Sequence, residues 1–480
     1  MKYNLYLLMF FLSFTGQHKA QTPEWNNSGC NWGKNGFINV AGPTTDSILW
    51  QASSAGIFGT PIFIEGNYLV TMRFQSTTYA PVECYNLTNG NLIWTVDVTN
   101  STGRSLPVGL RDNKVYVVLY TESLNDTLYA LDVSDGSKIW TSDVNVAPYI
   151  TETGVFDSTG YFYINGNQKT YKIDPTNGQM IWQATTIPMA SGSGEMAINQ
   201  TNNTGYTLEQ NGGISYLWAI DLNNGQKKYS HVINQLQSGG NLPQSALMVG
   251  TNGNIYVQLT QDNIAAIRDN GTQLNVLWQT KILGNSSFSL MCVGSDGSIY
   301  APTDGKIVRL DPSTGDTLNI SQSISQGGFY SPRITATNNN IIYATNGENY
   351  VYAFDKSLNL LWSDYIQGTN TSGVSISQNG LAAVAGQNSI RVYTPIQSTG
   401  IKETDRITLE VYPNPTFSTI YITCEDKFIG KEFVLTDTRG SKIKTGALSK
   451  NTSVDFENLP SGLYYLNVSG DQQTFKIVKY

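Results

Sequence analysis

Paired cysteines are missing from this chain of 480 residues. Its four cysteines, Cys30, Cys84, Cys292 and Cys424, stand far apart. No Cys-x-x-Cys and no Cys-x-x-Cys-His occurs, which excludes zinc knuckles and attached haem. The spacing selects no disulfide, and the four read as free buried thiols. Histidine is almost absent. Beyond His18, only His231 could carry a His-based metal site or a Ser-His-Asp triad. It follows a strand in a polar context and reads as structural or solvated. Charge is sparse as well: 14% of residues, against roughly 25% in soluble domains. The phosphate-loop pattern and the EF-hand loop are both missing. SGSGEMA, with Gly192, Gly194 and Ala197, matches G-x-G-x-x-A only superficially. That motif needs a strand before it and a helix after it, and here it lies between strand repeats.

Long apolar runs are confined to the N-terminus. Residues 1–20 carry Lys2 and an apolar stretch from Leu5 to Phe14. This is too short to span a bilayer and reads as a signal peptide cleaved after Ala20. No membrane span is expected in the mature chain. Without Lys2 and Lys19, 27 basic residues face 36 acidic ones, a net charge of −9. That excess argues against nucleic acid or anionic membrane as a partner.

What the chain has in abundance is a repeat. Its clearest copy is YALDVSDGSKIW, ending at Trp140; others end at Trp94, Trp182, Tyr229, Trp278, Asn319 and Trp362. DSILW supplies Trp50, a final strand without its hairpin. Asp-x-x-x-Gly between apolar strands is a hairpin signal: the Asp side chain holds the turn and Gly accepts positive φ. The ring that follows is expected to enter a core, worth roughly 2–3 kcal/mol of burial. Successive anchors lie 41 to 49 residues apart. A period in the forties with about four short strands fits a propeller blade, and a β-solenoid would need a shorter one. A second turn cluster, such as Asp296-Gly297-Ser298 before Ile299-Tyr300, precedes the second strand of most repeats. Eight anchors predict an all-β, eight-bladed propeller of four-stranded blades, with seven as the alternative because the Asn319 copy is weak. The strand at Ile48 to Gln51 and the strands between Gly373 and Thr394 are expected to complete one blade together. That closure would remove the free sheet edges.

The repeat resembles the pyrroloquinoline-quinone-type propeller repeat, roughly A-x-D-x-x-T-G-x-x-x-W. Ala130, Asp132, Gly136 and Trp140 match it, as do Asp174, Gly178 and Trp182, and, without the ring, Asp311, Thr314 and Gly315. The lead-in NWGKNGFINVAGP is similar to the start of that family's propellers. The resemblance implies the fold over about residues 30–395. It also brings an enzyme alternative, a quinone-dependent dehydrogenase holding pyrroloquinoline quinone and calcium in the axial funnel, with an Asp as base. Several such enzymes place the quinone against a disulfide of adjacent cysteines, which this chain lacks. The repeating Asp residues read as turn-holding rather than calcium-binding. No residue is nominated as catalytic, cofactor-binding or metal-ligating, and no cofactor is expected outside the dehydrogenase alternative.

After Pro395 the composition turns polar, and residues 396–406 read as a linker. Residues 407–480 alternate apolar and polar residues around turns and are expected to form a small β-sandwich. This tail is similar to the C-terminal sorting domain of the type IX secretion system. The match lies in Tyr412-Pro413-Asn414-Pro415, the Leu435 to Gly440 segment, Leu459-Pro460-Ser461-Gly462-Leu463-Tyr464 and Lys476-Ile477-Val478-Lys479. The resemblance implies the type IX machinery as a partner and a secreted or surface-attached product that passes through the periplasm. Residues 21–395 are then the cargo: a binding or scaffold propeller for a protein or glycan ligand. A hydrolase acting on surface polymers is a further alternative that would need clustered carboxylates on the axis. Deleting residues 407–480 is expected to leave the propeller folded and retained in the periplasm. Fractionation of the producing cells checks this, and normal export of the truncated chain would contradict it.

Overall fold

The structure is a computed structural model. It describes residues 24–395 and 410–480, less residues 28, 54–56, 59–61, 77–78, 99–102, 121–125, 147–153, 167–168, 186–195, 212–213, 236–246, 261–262, 282–290, 304, 325–333, 346–348, 368–372, 387–388, 425–427 and 469–473. The expected signal peptide and linker, with Gly192 and Gly194, lie outside the described residues. The chain divides into two compact units, Met1–Gln397 and Ser398–Tyr480.

The first unit is built of antiparallel sheets that follow one another along the chain. Among the described residues there are eight. The second is typical: Arg104–Arg111, Lys114–Tyr120, Thr127–Asp132 and Lys138–Asn145 pair in sequence, inner strand to outer. The first occupies 57–96, the third to seventh 155–185, 197–235, 247–281, 292–320 and 334–365. The eighth joins both ends of the unit. Ile48–Ser53 lies as its outer strand against Ser389–Tyr393, with Trp50 opposite Val392 and Gln51 opposite Arg391. The circle closes where Ser375 of the eighth sheet donates to the carbonyl of Ile62 within the first, at 2.7 Å. This is a β-propeller. Each sheet is buried on both faces. A fully buried Tyr recurs on the second strand of the second to seventh sheets, at Tyr116, Tyr163, Tyr206, Tyr256, Tyr300 and Tyr343, and on the third strand of the eighth, at Tyr393. Those seven tyrosines are core, which removes a quarter of the chain's 28 from any binding surface.

The anchor rings do not simply enter their own sheet's core. Five of the indoles lie on the glycine turn of the next sheet. Trp94 meets Gly136, Trp140 meets Gly178, Trp182 meets Gly225, Trp278 meets Gly315, and Trp50 of the eighth sheet meets Gly90 of the first. In the same five places the indole Nε1–H donates to a turn carbonyl: Val133, Pro175, Leu222, Pro312 and Leu87 respectively, at 2.6–3.1 Å. A Cβ on Gly178 would stand 2.5 Å from the Trp140 ring, and the backbone there has φ +77°. Glycine is required at these turns on both counts.

The imperfect repeats follow from the same rule. At Tyr229 the next turn lacks a docking glycine, and the Tyr229 hydroxyl donates instead to Asp269 at its start. Asn319 has no ring to dock. The following turn, Asp355 to Asn359, contains no glycine, and Leu358 fills it with φ +66° while buried in the core. After Trp362 the next turn is replaced by the chain ends, and its Nε1 has no hydrogen-bond partner among the described residues.

The second unit is a two-sheet sandwich. Glu410–Tyr412, Thr419–Thr423 and Asn451–Asp455 form one sheet; Lys442–Ala447, Glu432–Asp437, Gly462–Val468 and Thr474–Lys479 form the other. Ile420, Ile422, Leu435, Phe456, Leu466 and Ile477 fill the space between. Asn414 ties the Pro-Asn-Pro segment to the last strand: Nδ2 donates to the Lys476 carbonyl at 2.6 Å, and Oδ1 accepts from Val478 N at 2.9 Å.

Removing a docked ring should cost what burial and the resulting cavity dictate, so Trp140→Ala is expected to lose about 3–5 kcal/mol. Gly178→Val should also destabilise. The two changes together should cost less than their sum, because without the ring the new side chain has room. Chemical denaturation of both single variants and the double variant checks this; strict additivity would contradict the docking geometry.

Candidate functional site

The central channel holds a segment of the chain itself. Residues 25–40 run past the inner strands in the order of the sheets. Carbonyls of Trp25, Asn26, Trp32, Gly33, Asn35 and Gly36 accept from Ile64, Leu110, Ile198, Val249, Val293 and Ala336, all at 2.8–3.0 Å. These acceptances serve the first, second, fourth, fifth, sixth and seventh sheets in turn. Phe37–Ile38 then pairs in parallel with Ala336–Thr337 as a fifth strand of the seventh sheet. The inner strands have no sheet partner on their axial side, so this strap satisfies N–H groups that would otherwise be orphaned. Glycine allows the close approach: a Cβ on Gly33 would stand 2.6 Å from the Val249 carbonyl, and one on Gly36 the same distance from that of Ile334. Asn35 Nδ2 adds a bond to the Val249 carbonyl at 2.9 Å, and Asn31 Nδ2 donates to Asn35 Oδ1 at 2.7 Å.

Between the strap and the inner turns of the fourth and fifth sheets lies a cleft of about 410 Å³. Its walls are Asn31, Trp32, Asn35, Phe37 and Asn39 from the strap, and Asn199, Gln200, Thr201 and Thr251 from the turns, with Ile38, Ile198 and Val249 at the floor. Glu24 is the one acidic residue among those that line it. Trp32 is half-buried, packed against the cluster of Val155, Tyr163, Met196 and Ile198. Gln200 Oε1 accepts from the Ser158 hydroxyl at 2.6 Å, and its Nε2 is buried with no partner among the described residues.

Two carboxylates lie near the start of the strap. Glu24 accepts from Gly66 N at 3.2 Å. Glu65 accepts from Asp112 N at 2.7 Å and Asn113 N at 3.0 Å, on the turn between the first two strands of the second sheet. Burial, then the nearby Glu24 charge, pushes the Glu65 carboxyl up to about 7, and burial also raises Glu24. Both oxygens of Glu65 are committed to backbone donors, so the pair holds turns together.

The motifs weighed in the sequence fall elsewhere. Asp132, Asp174 and Asp311 each accept from the backbone N–H and the hydroxyl of the residue two further on, at 2.5–2.8 Å. Their carboxylates hold the hairpin turns. His231 is half-buried on the outer strand of the fourth sheet, opposite Leu217. Ala197 begins that sheet's inner strand. All four cysteines are buried and none is in a disulfide among the described residues, and burial pushes the Cys30, Cys84 and Cys292 thiols up. Among the described residues no three His, Cys, Asp or Glu side chains gather as a metal site would require. The strap was missed in the sequence because its segment does not alternate; its glycines and asparagines were the available signal.

The fold and the repeat define a β-propeller of the quinoprotein type. A family model described as outer membrane protein assembly factor BamB matches residues 34–273, half of the chain, and the protein belongs to this PQQ-type repeat family. Residues 410–480 match the secretion system C-terminal sorting domain. The outer membrane protein assembly factor BamB of Yersinia pestis is 24% identical over 346 residues, covering 67% of this chain and 81% of that protein. The quinohemoprotein alcohol dehydrogenase of Comamonas testosteroni is 26% identical over 144 residues, which is 26% of this chain and 19% of the enzyme. Among solved structures, BamB from Moraxella catarrhalis superposes with a TM-score of 0.54 at 13% identity, over 72% of this chain and 99% of that one. The Comamonas testosteroni dehydrogenase does so with 0.56 at 13%, over 84% of each.

The Glu65 carboxyl sets a pH dependence. Its folded value lies above the ordinary 4.5, so between about 4.5 and 7 the folded chain keeps a proton that the unfolded chain has released. Its contribution is full below about 4.5 and is lost as pH rises to about 7. The melting temperature should therefore fall over that window by more in the native protein than in Glu65→Gln. Identical pH profiles would contradict this assignment.

Proposed function

We propose that this protein is an exported, eight-bladed binding propeller, secreted or held on the outer cell surface, that presents its channel and turn faces to a protein or glycan ligand. The sorting domain supports export by the type IX machinery, whose recognition surface is then the C-terminal sandwich. The observation that carries the binding reading is the cleft beside the strap. Its walls are rings, amides and hydroxyls, a lining that recognises by stacking and hydrogen bonding. A hydrolase would need a free carboxylate pair at working separation; here Glu24 and Glu65 bond to backbone N–H groups.

The relatives include quinone-dependent alcohol dehydrogenases. Among the described residues no acidic cluster is placed for calcium and the buried cysteines stand apart, so no described residue supports the dehydrogenase reading. We therefore derive no step through a quinone.

A thermal-shift series on the full exported protein tests the reading. A ligand at about a hundred times its dissociation constant adds roughly 2.7 kcal/mol to the folded state. Surface polysaccharide or a purified surface protein is expected to raise the melting temperature, and pyrroloquinoline quinone with calcium is not. A rise that needs quinone and calcium together would overturn the proposal in favour of the dehydrogenase.

A further inference from the structure

We propose that the cleft between the strap and the inner turns of the fourth and fifth sheets is a binding site for a single neutral sugar ring, such as the exposed terminal unit of a glycan. The inference rests on the binding reading above and narrows it to one ligand class and one place.

The cleft's size comes first. At about 410 Å³ it lies near the lower end of small-molecule pockets, roughly 300–1,000 Å³. That suits one or two sugar rings and not a folded protein surface. The strap also answers the peptide alternative here. An extended peptide binds by adding to an open strand edge, but Ile198 N and Val249 N, the inner-strand donors beside the cleft, are already bonded to Trp32 and Gly33.

The lining matches a pyranose in its division of polarity. A pyranose has a face of C–H bonds and an edge of hydroxyls. Trp32 is held by packing on one side and lines the cleft as well, so it offers an ordered, low-entropy ring for the C–H face. Phe37 is half-buried on the same strap. The inner turns supply Thr201 and Thr251, both exposed, and the Asn199 amide, whose Nδ2 makes only a long bond of 3.4 Å to the Gly253 carbonyl.

Gln200 adds an independent sign. A buried donor without a partner costs about 1–3 kcal/mol, and native sites that carry one call for an explanation. Gln200 Nε2 is such a donor, and Gln200 is one of the residues that line this cleft. A turn of the side chain toward the cleft would give it a sugar hydroxyl. Glu24 in the lining, in a protein with excess acid, disfavours an anionic sugar.

Titration calorimetry on the full exported protein tests this. The probes are the methyl glycosides of glucose, galactose, mannose and N-acetylglucosamine, their disaccharides, and galacturonate as the anionic control. At least one neutral probe is expected to bind and to outcompete galacturonate. Trp32→Ala should weaken it by about tenfold or more, Trp32→Phe by less, and Gln200→Ala by several-fold. Because Trp32 belongs to the strap, Thr251→Arg serves as a second variant: it fills the cleft from an exposed turn and should abolish binding without lowering the melting temperature.

Sugar binding that survives both Trp32→Ala and Thr251→Arg would leave the protein a glycan binder and overturn this site. No binding of any sugar at about 10 mM, with a surface protein raising the melting temperature, would overturn this inference and leave the binding reading standing. Failure of sugars and surface proteins alike would remove both.

Discussion

An indole lying flat on a glycine is the contact on which this propeller depends. Each such contact joins the outer strand of one sheet to the turn of the next, so the repeat is a set of clamps between neighbours. The clamp has two parts that must agree. The ring needs a position without a Cβ, and its N–H needs the carbonyl that the same turn presents. Because the Asp at the turn's start fixes that carbonyl by bonding its own turn's N–H groups, ring, glycine and acid act as one unit spread over two sheets. Stability is then shared between nearest neighbours.

Much of this was legible in the sequence, and the limits have physical causes. The rings, acids and glycines recur at a readable period, so the sheets, the turn-holding role of Asp132, Asp174 and Asp311, and the joining of Ile48–Ser53 to the last strands could all be anticipated. The partner of each ring could not. The repeat shows Trp140 and Gly136 in one copy, yet the glycine that Trp140 needs is Gly178, a repeat later. The same displacement explains the weak copies. Tyr229 looks like a degraded anchor until Asp269 is placed against it, and Asn319 looks like an error until the following turn is found to have no glycine.

The candidate site was less legible than the fold. Its strap has no alternation to mark it as a strand, and its partners are far away in the chain: Asn35 bonds to Val249 and Trp25 to Ile64. Its polar, glycine-rich composition and its likeness to the lead-in of the family's propellers set it apart without showing what it bonds. The sandwich shows the converse. Its Pro-Asn-Pro and terminal Lys-Ile-Val-Lys segments were readable as separate motifs, while Asn414, which fastens one to the other, carried no sign of that role.

The joining of the two chain ends in one sheet has a consequence for how the protein matures. Gln51 and Arg391 meet across 340 residues. By loop-closure entropy alone that costs roughly 2 kcal/mol more than closing a single repeat. Seven sheets can form as local hairpins, each soon after its own residues are available. The eighth must wait until the chain has emerged as far as Tyr393, and until then the first and seventh sheets each lack the neighbour that covers one face. An exported chain with a sorting domain behind its last strand therefore reaches its transporter in one of two distinct shapes, an open arc or a finished ring. The step between them is a single pairing event that comes late and, once made, leaves neither end of the propeller free.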